Sequence, residues 1–244
     1  MARYGVVVLS IFLMAATAVL AGACGTQPVG EQVGEMQRES KSVDPKGAQS
    51  ARAQLKMGAG EMNLTGGADQ LMEADFSYNV SEWKPKVSYD VSADEGELVV
   101  KQGGAGGSSL SGETRNEWEI RLNDELPTDL VVQMGAGESD LDLDSLSLTG
   151  LKLQMGAGKT TVDLTGDYTQ GFDASIQGGV GEATVMLPTG VGVKAKAQGG
   201  LGKINAEGLT REGDSYVNDA YGDSAVTLVV DVQGGVGEIR LEVV

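Results

Sequence analysis

The chain has 244 residues, a formal net charge of −17, 37 glycines, one cysteine and no histidine. Such acidity repels phosphate backbones and argues against nucleic acid as a partner. Without histidine or a second cysteine there is no histidine-based triad, no internal disulfide and no zinc site of those ligands.

The N-terminus reads as an address. Arg3 precedes an apolar run over residues 6–23, which closes as Leu20-Ala21-Gly22-Ala23-Cys24. Small residues ahead of the only cysteine predict a lipoprotein signal over residues 1–23, cleaved so that Cys24 is lipidated and becomes the first residue. The rest then lies on the outer face of the cytoplasmic membrane, or of another envelope membrane, held by acyl chains and not by surface charge. Residues 24–50 are polar and read as a tether, with a candidate first strand over residues 35–43.

Residues 51–126 form an N-terminal region with five of the nine aromatic residues that follow Cys24. Phe76, Tyr78 and Val80 alternate, as do Val87, Tyr89 and Val91, which predicts a hairpin or a pair of longer strands. The turn between them offers Trp83, Lys84 and Lys86 as an interaction tip, or else the aromatics cap one end of the fold. Trp118, Ile120 and Leu122 alternate on a further core strand.

One phrase then dominates. A GxG preceded two places earlier by glutamine (once by lysine) occurs seven times, with first glycines at 58, 104, 135, 156, 179, 200 and 235. Three of the gaps are 21, 23 and 21 residues, which predicts a β-solenoid, akin to a parallel β-helix, with coils of about 21 residues and β-hairpin insertions. Four of the copies fall in residues 135–202 and a fifth at 235, so residues 127–244 read as the regular C-terminal repeat region.

Apolar and polar residues alternate up to each first glycine, and the phase flips after it. The GxG is therefore expected to be a corner between two strand segments, where glycine reaches backbone angles closed to other residues. Gln102, Gln133, Gln154, Gln177, Gln198 and Gln233 should form an outward column of stacked amides, of which Gln133, Gln154, Gln177, Gln198 and Gln233 are a candidate interaction face. Three residues after the first glycine stand Glu138, Lys159, Glu182, Lys203 and Glu238; stacked in sequence order, their charges alternate. Prolines 127 and 188 mark entries into strands. No helical period is sustained after residue 50, so the mature chain is expected to be all-β.

Residues 208–224 read as a polar insertion anchored by Tyr216 and Tyr221. Asp140, Asp142 and Asp144 share one strand face, with Asp163 in the column of Asp142; a solvated acidic surface explains them more simply than a cation site. Gly158-Lys159-Thr160 mimics a phosphate loop but opens a strand where that loop needs a helix. No catalytic constellation, metal site or cofactor emerges.

Gly58-Ala59-Gly60-Glu61, residues 74–80, Glu82-Trp83-Lys84-Pro85, the Gln-Gly-Gly-x-Gly copies and residues 213–222 together resemble bacterial toast-rack domain proteins. Their repeat region is similar to the C-terminal domain of cell-wall-active antibiotic response proteins. The resemblance implies an extracytoplasmic β-solenoid-like domain, a role in envelope-stress sensing and no catalytic residues. One lipidated cysteine in place of several membrane helices is a departure from the antibiotic-response proteins. The combined expectation is a non-enzymatic, lipid-anchored interaction module. Its partners would be the membrane, an envelope protein or cell-wall component, and copies of itself. A glycan-binding or glycan-cleaving surface protein and a self-assembling scaffold are the alternatives.

Overall fold

The computed structural model describes residues 33–104 and 113–244. Cys24 and the apolar run over residues 6–23 lie outside the described residues. Thirteen strands and one 3-10 turn account for its regular structure: β1 (Val33–Val43), β2 (Ser50–Thr65), β3 (Met72–Val80), the turn Ser81–Trp83, β4 (Lys86–Ser92), β5 (Glu95–Lys101), β6 (Asn116–Leu122), β7 (Thr128–Asp142), β8 (Leu148–Asp163), β9 (Asp173–Leu187), β10 (Gly192–Glu207), β11 (Thr210–Glu212), β12 (Ser215–Val217) and β13 (Thr227–Val243). All belong to one open mixed sheet, in the order β1-β3-β6-β2-β7-β8-β9-β13-β10-β12-β11, with β5 beside β2 and β4 beside β5.

The GxG works as the sequence predicts. In β7, Leu130, Val132 and Met134 are buried, then Ser139 and Leu141, so burial changes phase across Gly135-Ala136-Gly137. The second glycine of each described corner has a positive φ, between 128° and 147°. A Cβ on Gly158 would also overlap the carbonyl oxygen of Gly137 on the neighbouring strand. Glycine is thus required there both by the bend and by the close approach of the next corner. Residues from both arms of the bent strands, such as Leu153 and Val162 of β8, belong to one apolar cluster. Each fully buried aliphatic side chain contributes about 1.5–3 kcal/mol.

Equivalent positions lie side by side on parallel strands: Gln133 opposite Gln154, Gln154 opposite Gln177, Gln177 opposite Gln233 and Gln233 opposite Gln198. The order differs from the expected one at both ends. β13, which carries the last copy, lies between β9 and β10. β5 and β6, which flank the second copy, lie on the far side of β2 from β7. The expected alternation of charges fails accordingly. Glu138, Lys159 and Glu182 do alternate, but Glu182 sits next to Glu238, and Glu61 next to Glu138. Arg240, 2.8 Å from Glu238, offsets the first like pair; that hydrogen bond and the charge of Glu238 raise the guanidinium's pKa.

The second copy runs into residues 105–112, so its GxG lies outside the described residues. β5 pairs with residues 50–56 of β2 and β6 with residues 61–65, and among the described residues no strand pairs with the corner of β2 on that side. Side chains bond to that corner. The Oε1 of Gln102 accepts from the backbone N–H groups of Gly58 (2.7 Å) and Ala59 (3.3 Å). Asn116 donates to the Ala59 carbonyl at 2.7 Å and to Gln102 at 3.0 Å, and accepts from the Trp118 indole at 3.0 Å. These bonds satisfy groups that would otherwise be buried and orphaned.

The aromatic residues close the end of the core. Phe76 packs edge-on against Trp118 at 5.3 Å, and Tyr78 and Val80 are buried. Of the two arrangements expected for residues 76–80 and 87–91, the structure has two separate strands and not a hairpin between them. β3 pairs with β1 and β6, whereas β4 pairs with β5. The 3-10 turn and Pro85 carry the chain from one arm of the sheet to the other. The hairpin is instead β4–β5, turning through Ala93 and Asp94, both at positive φ, as a two-residue loop of type I′ requires. β11 and β12 form a second hairpin in the insertion, with Tyr216 packed on the core.

Packing inside the corner follows a pairing rule. Where methionine precedes the GxG, as at Met134 and Met155, the residue four places after its first glycine is Ser139 or Thr160; Met57 is paired with Met62. Where glycine precedes it, as at Gly199 and Gly234, that residue is Ile204 or Ile239, whose δ-methyl lies over the glycine. Thr160 meets Met155 sulfur at 3.6 Å, the same contact with the roles reversed. β9 breaks the rule: Gly178 and Ala183 are both small. A void of about 40 Å³, lined by Met155, Ile176, Gly178, Ala183 and Ile239 among others, lies there.

Candidate functional site: a corner face of glutamine and glycine

Six corners in parallel register make one continuous surface. The outward side chains two places before each first glycine run, in spatial order, Lys56, Gln133, Gln154, Gln177, Gln233 and Gln198. Gln133 donates to Gln154 at 2.9 Å and Gln154 to Gln177 at 3.2 Å. The amide ladder ends there, because Gln233 turns to Asp231 on its own strand at 2.9 Å. Gln198 lies one strand beyond Gln233 and is exposed. Gln102, expected in this column, is buried, since β5 ends at Lys101 and its amide bonds to the corner of β2.

A shallow trough of about 610 Å³ runs along this face. Gln133, Gln154 and Gln177 form its polar side, the glycines of the corners keep it open, and Lys56 and Lys101 stand at one end. Among the described residues no aromatic or carboxylate side chain lines it. On a chain of net charge −17, a strip whose charged groups are lysines is a local exception.

The residue between the two glycines of each corner also points outward, and here the face has two halves. Ala59, Ala136 and Ala157 occupy one, Val180, Val236 and Leu201 the other. These last three are 57%, 47% and 73% exposed. The larger side chains are visible in the sequence, but their order across the face is not, because Val236 lies between Val180 and Leu201 only once β13 is inserted.

The aromatic turn is placed differently from an exposed tip. Trp83 is buried and its indole nitrogen has no partner among the described residues. Lys84 pairs with Glu39 of β1 at 3.2 Å, and Lys41 meets the same carboxylate at 2.6 Å. Lys41 first, and Lys84 after it, hold the Glu39 carboxyl below its ordinary value against the opposing effect of burial. Lys86 is exposed on β4. Of the three residues only the lysines are presented to solvent, so Trp83 reads as part of the end cap.

On the opposite arm, Asp142 and Asp163 are register partners and Asp144 lies nearby. Although Asp144 is exposed, partial desolvation, then Asp142 and Asp163, push its carboxyl up. The Tyr168 hydroxyl donates to the Leu143 carbonyl at 3.0 Å, and burial raises its pKa. Among the described residues no cluster of three carboxylates is arranged to hold a metal ion.

Long bent strands, glycine corners in register and side-chain plugs at one end define an open all-β rack that presents a repetitive surface. The family model for the N-terminal domain of toast_rack, DUF2154, matches residues 32–186. The chain belongs to that family. It is also similar to a solved structure from Clostridium sporogenes designated a candidate cell adhesion protein. That likeness is at 39% identity with a TM-score of 0.84, over 86% of this chain and 100% of the other. A candidate adhesin from Bacteroides fragilis aligns over 85% of this chain and 97% of its own, at 9% identity and a TM-score of 0.27. No curated protein matches the chain.

Proposed function

We propose that the chain is a non-enzymatic interaction module outside the cytoplasm, held at the outer face of the cytoplasmic membrane by lipid on Cys24 and serving envelope-stress sensing. Its working unit is one bent strand with its return, about 21 residues in the most regular part, stacked as a solenoid-like rack. The observation that carries the reading is the corner face, where Gln133, Gln154 and Gln177 are linked amide to amide along an open trough. A row of glycines lets a partner's backbone approach closely, and a row of amides offers donors and acceptors at the strand spacing of about 4.8 Å. The cell-adhesion designation of the 39%-identical neighbour supports an interaction role. A trough that has no aromatic or carboxylate lining among the described residues favours an envelope protein over a glycan as the partner.

The test is capture from envelope extract, with and without cell-wall antibiotics, using the full chain and a Gln133→Ala, Gln154→Ala, Gln177→Ala variant. The proposal expects a specific protein retained by the native chain and lost by the variant. Equal capture by both would refute the glutamine face as the contact. Labelling with an alkynyl fatty acid should mark the native chain and not Cys24→Ser; equal labelling would refute the anchor.

A further inference from the structure

The two ends of the rack are finished differently. At the β2 end both arms are covered, residues 50–56 by β5 and residues 61–65 by β6. At the β10 end, β12 covers Lys194 and Ala195 only. Among the described residues no strand pairs with the outer edge of β10 from residue 196 to residue 207.

The core is therefore open on that arm. Ile204 and Ala206 stand in the inward column, beside Ile239 and Leu241 of β13. Ile239 is 3% exposed, while Ile204 at the same position is 37% exposed. An unpaired row of backbone donors and acceptors next to uncovered apolar positions is a template for another strand. β1, the strand at the far end of the sheet order, instead carries Glu35, Arg38, Glu39 and Lys41, which protect it.

The sequence of the open edge indicates which strand fits. It reads Leu201-Gly202-Lys203-Ile204-Asn205-Ala206-Glu207-Gly208-Leu209, nearly a palindrome about Asn205 with the charges of opposite sign. An antiparallel pair of two such strands about a two-fold axis at Asn205 sets Lys203 against Glu207 of the second copy, twice. It sets Ile204 against Ala206 of the second copy on the core side, also twice. Directly opposed residues share a face of an antiparallel pair, so the apolar and charged positions match without a slip of register. The contact is closed and isologous, which yields a dimer and not a filament.

We propose that the outer half of β10 is a self-docking edge on which a second copy of the chain adds its own β10, antiparallel and centred on Asn205. The inference stands apart from the reading of the glutamine face. The buried surface of one short strand pair is small, so the association is weak in dilute solution and is best trapped covalently.

The test uses the full chain in detergent with Cys24→Ser, so that Asn205→Cys is its sole thiol. Opposed residues of an antiparallel pair have Cα atoms roughly 4.5–5.5 Å apart, within disulfide range. On mild oxidation, Asn205→Cys should form dimers at least tenfold faster than Ser88→Cys on the open edge of β4. Adding Lys203→Glu or Glu207→Lys should bring the rate down to the Ser88→Cys level, and the two together should restore it. A rate for Asn205→Cys no higher than for Ser88→Cys would overturn the proposal; so would charge reversals without effect, or a double variant that fails to recover.

Discussion

Gly158→Ala tests whether the corners are held by backbone contact between neighbouring strands. Gly158 has φ 133°, a region closed to residues with a Cβ, which costs about 1–3 kcal/mol. The new methyl would also overlap the carbonyl oxygen of Gly137 and lie 2.9 Å from its carbonyl carbon. Relief requires β8 to move off β7 at the corner, with loss of ladder bonds worth about 1 kcal/mol each. The sum is about 3–5 kcal/mol, or a fall in Tm of roughly 6–20 °C for a chain of this size. Two other glycines isolate the cause. Gly213→Ala has positive φ, 60°, but nothing within 4 Å, and should cost about 1 kcal/mol. Gly178→Ala meets only the Gln233 carbonyl at 4.0 Å and should be neutral or stabilising by about 0.4–1 kcal/mol. Thermal unfolding followed by circular dichroism ranks the three. A Gly158→Ala protein as stable as Gly213→Ala would refute the argument that strand contact, beyond backbone angle, demands the glycine.

Ala183→Val should raise stability by about 0.5–1 kcal/mol, since among the six described corners it fills the one where both interior positions are small; a lower denaturation midpoint would show that the void is closed by other means. Asn116→Ala should cost about 2–5 kcal/mol in denaturant unfolding, because it orphans the Trp118 indole and the Ala59 carbonyl. A loss under about 0.5 kcal/mol would show that the plug is dispensable. Asp144→Asn should stabilise the protein at neutral pH. The native-state pKa of Asp144 is raised, chiefly by partial desolvation and then by Asp142, so its ionisation disfavours the fold. The advantage over Asp144 should be absent below the ordinary carboxylate pKa and appear as pH rises through the raised one. A pH-independent difference would mean that packing, not charge, is responsible.

The corners, the inward positions and the paired glutamines were legible in the amino-acid sequence because each depends on a period read within one strand. Leu153, Met155 and Val162 announce their burial by alternation alone. Strand order was not legible, because the copies are nearly interchangeable by that criterion. The gap from 179 to 200 equals that from 135 to 156, yet β9 and β10 are separated by β13 while β7 and β8 are neighbours. The alternating charges at 138, 159, 182, 203 and 238 pointed to sequence order, and Arg240 shows why that order was not needed. Gln102 matched its column in type but not in place, because the strand that should carry it ends at Lys101 and leaves its amide to plug the corner. For Trp83, among Glu82, Lys84 and Lys86, the sequence left a tip and an end cap both open; its neighbours are solvated while the indole turns inward, as the cap has it.

Strand order is also where the account is most directly tested. In a Cys24→Ser background, Gln177→Cys paired with Gln233→Cys, and Gln233→Cys paired with Gln198→Cys, should each close an intramolecular disulfide, since the positions are on adjacent strands about 4.8 Å apart. Gln177→Cys with Gln198→Cys should not, being two strands and roughly 9.6 Å apart. Ready closure of that last pair, with none between 177 and 233, would mean that the copies stack as they are written and that β13 does not lie where the fold requires it.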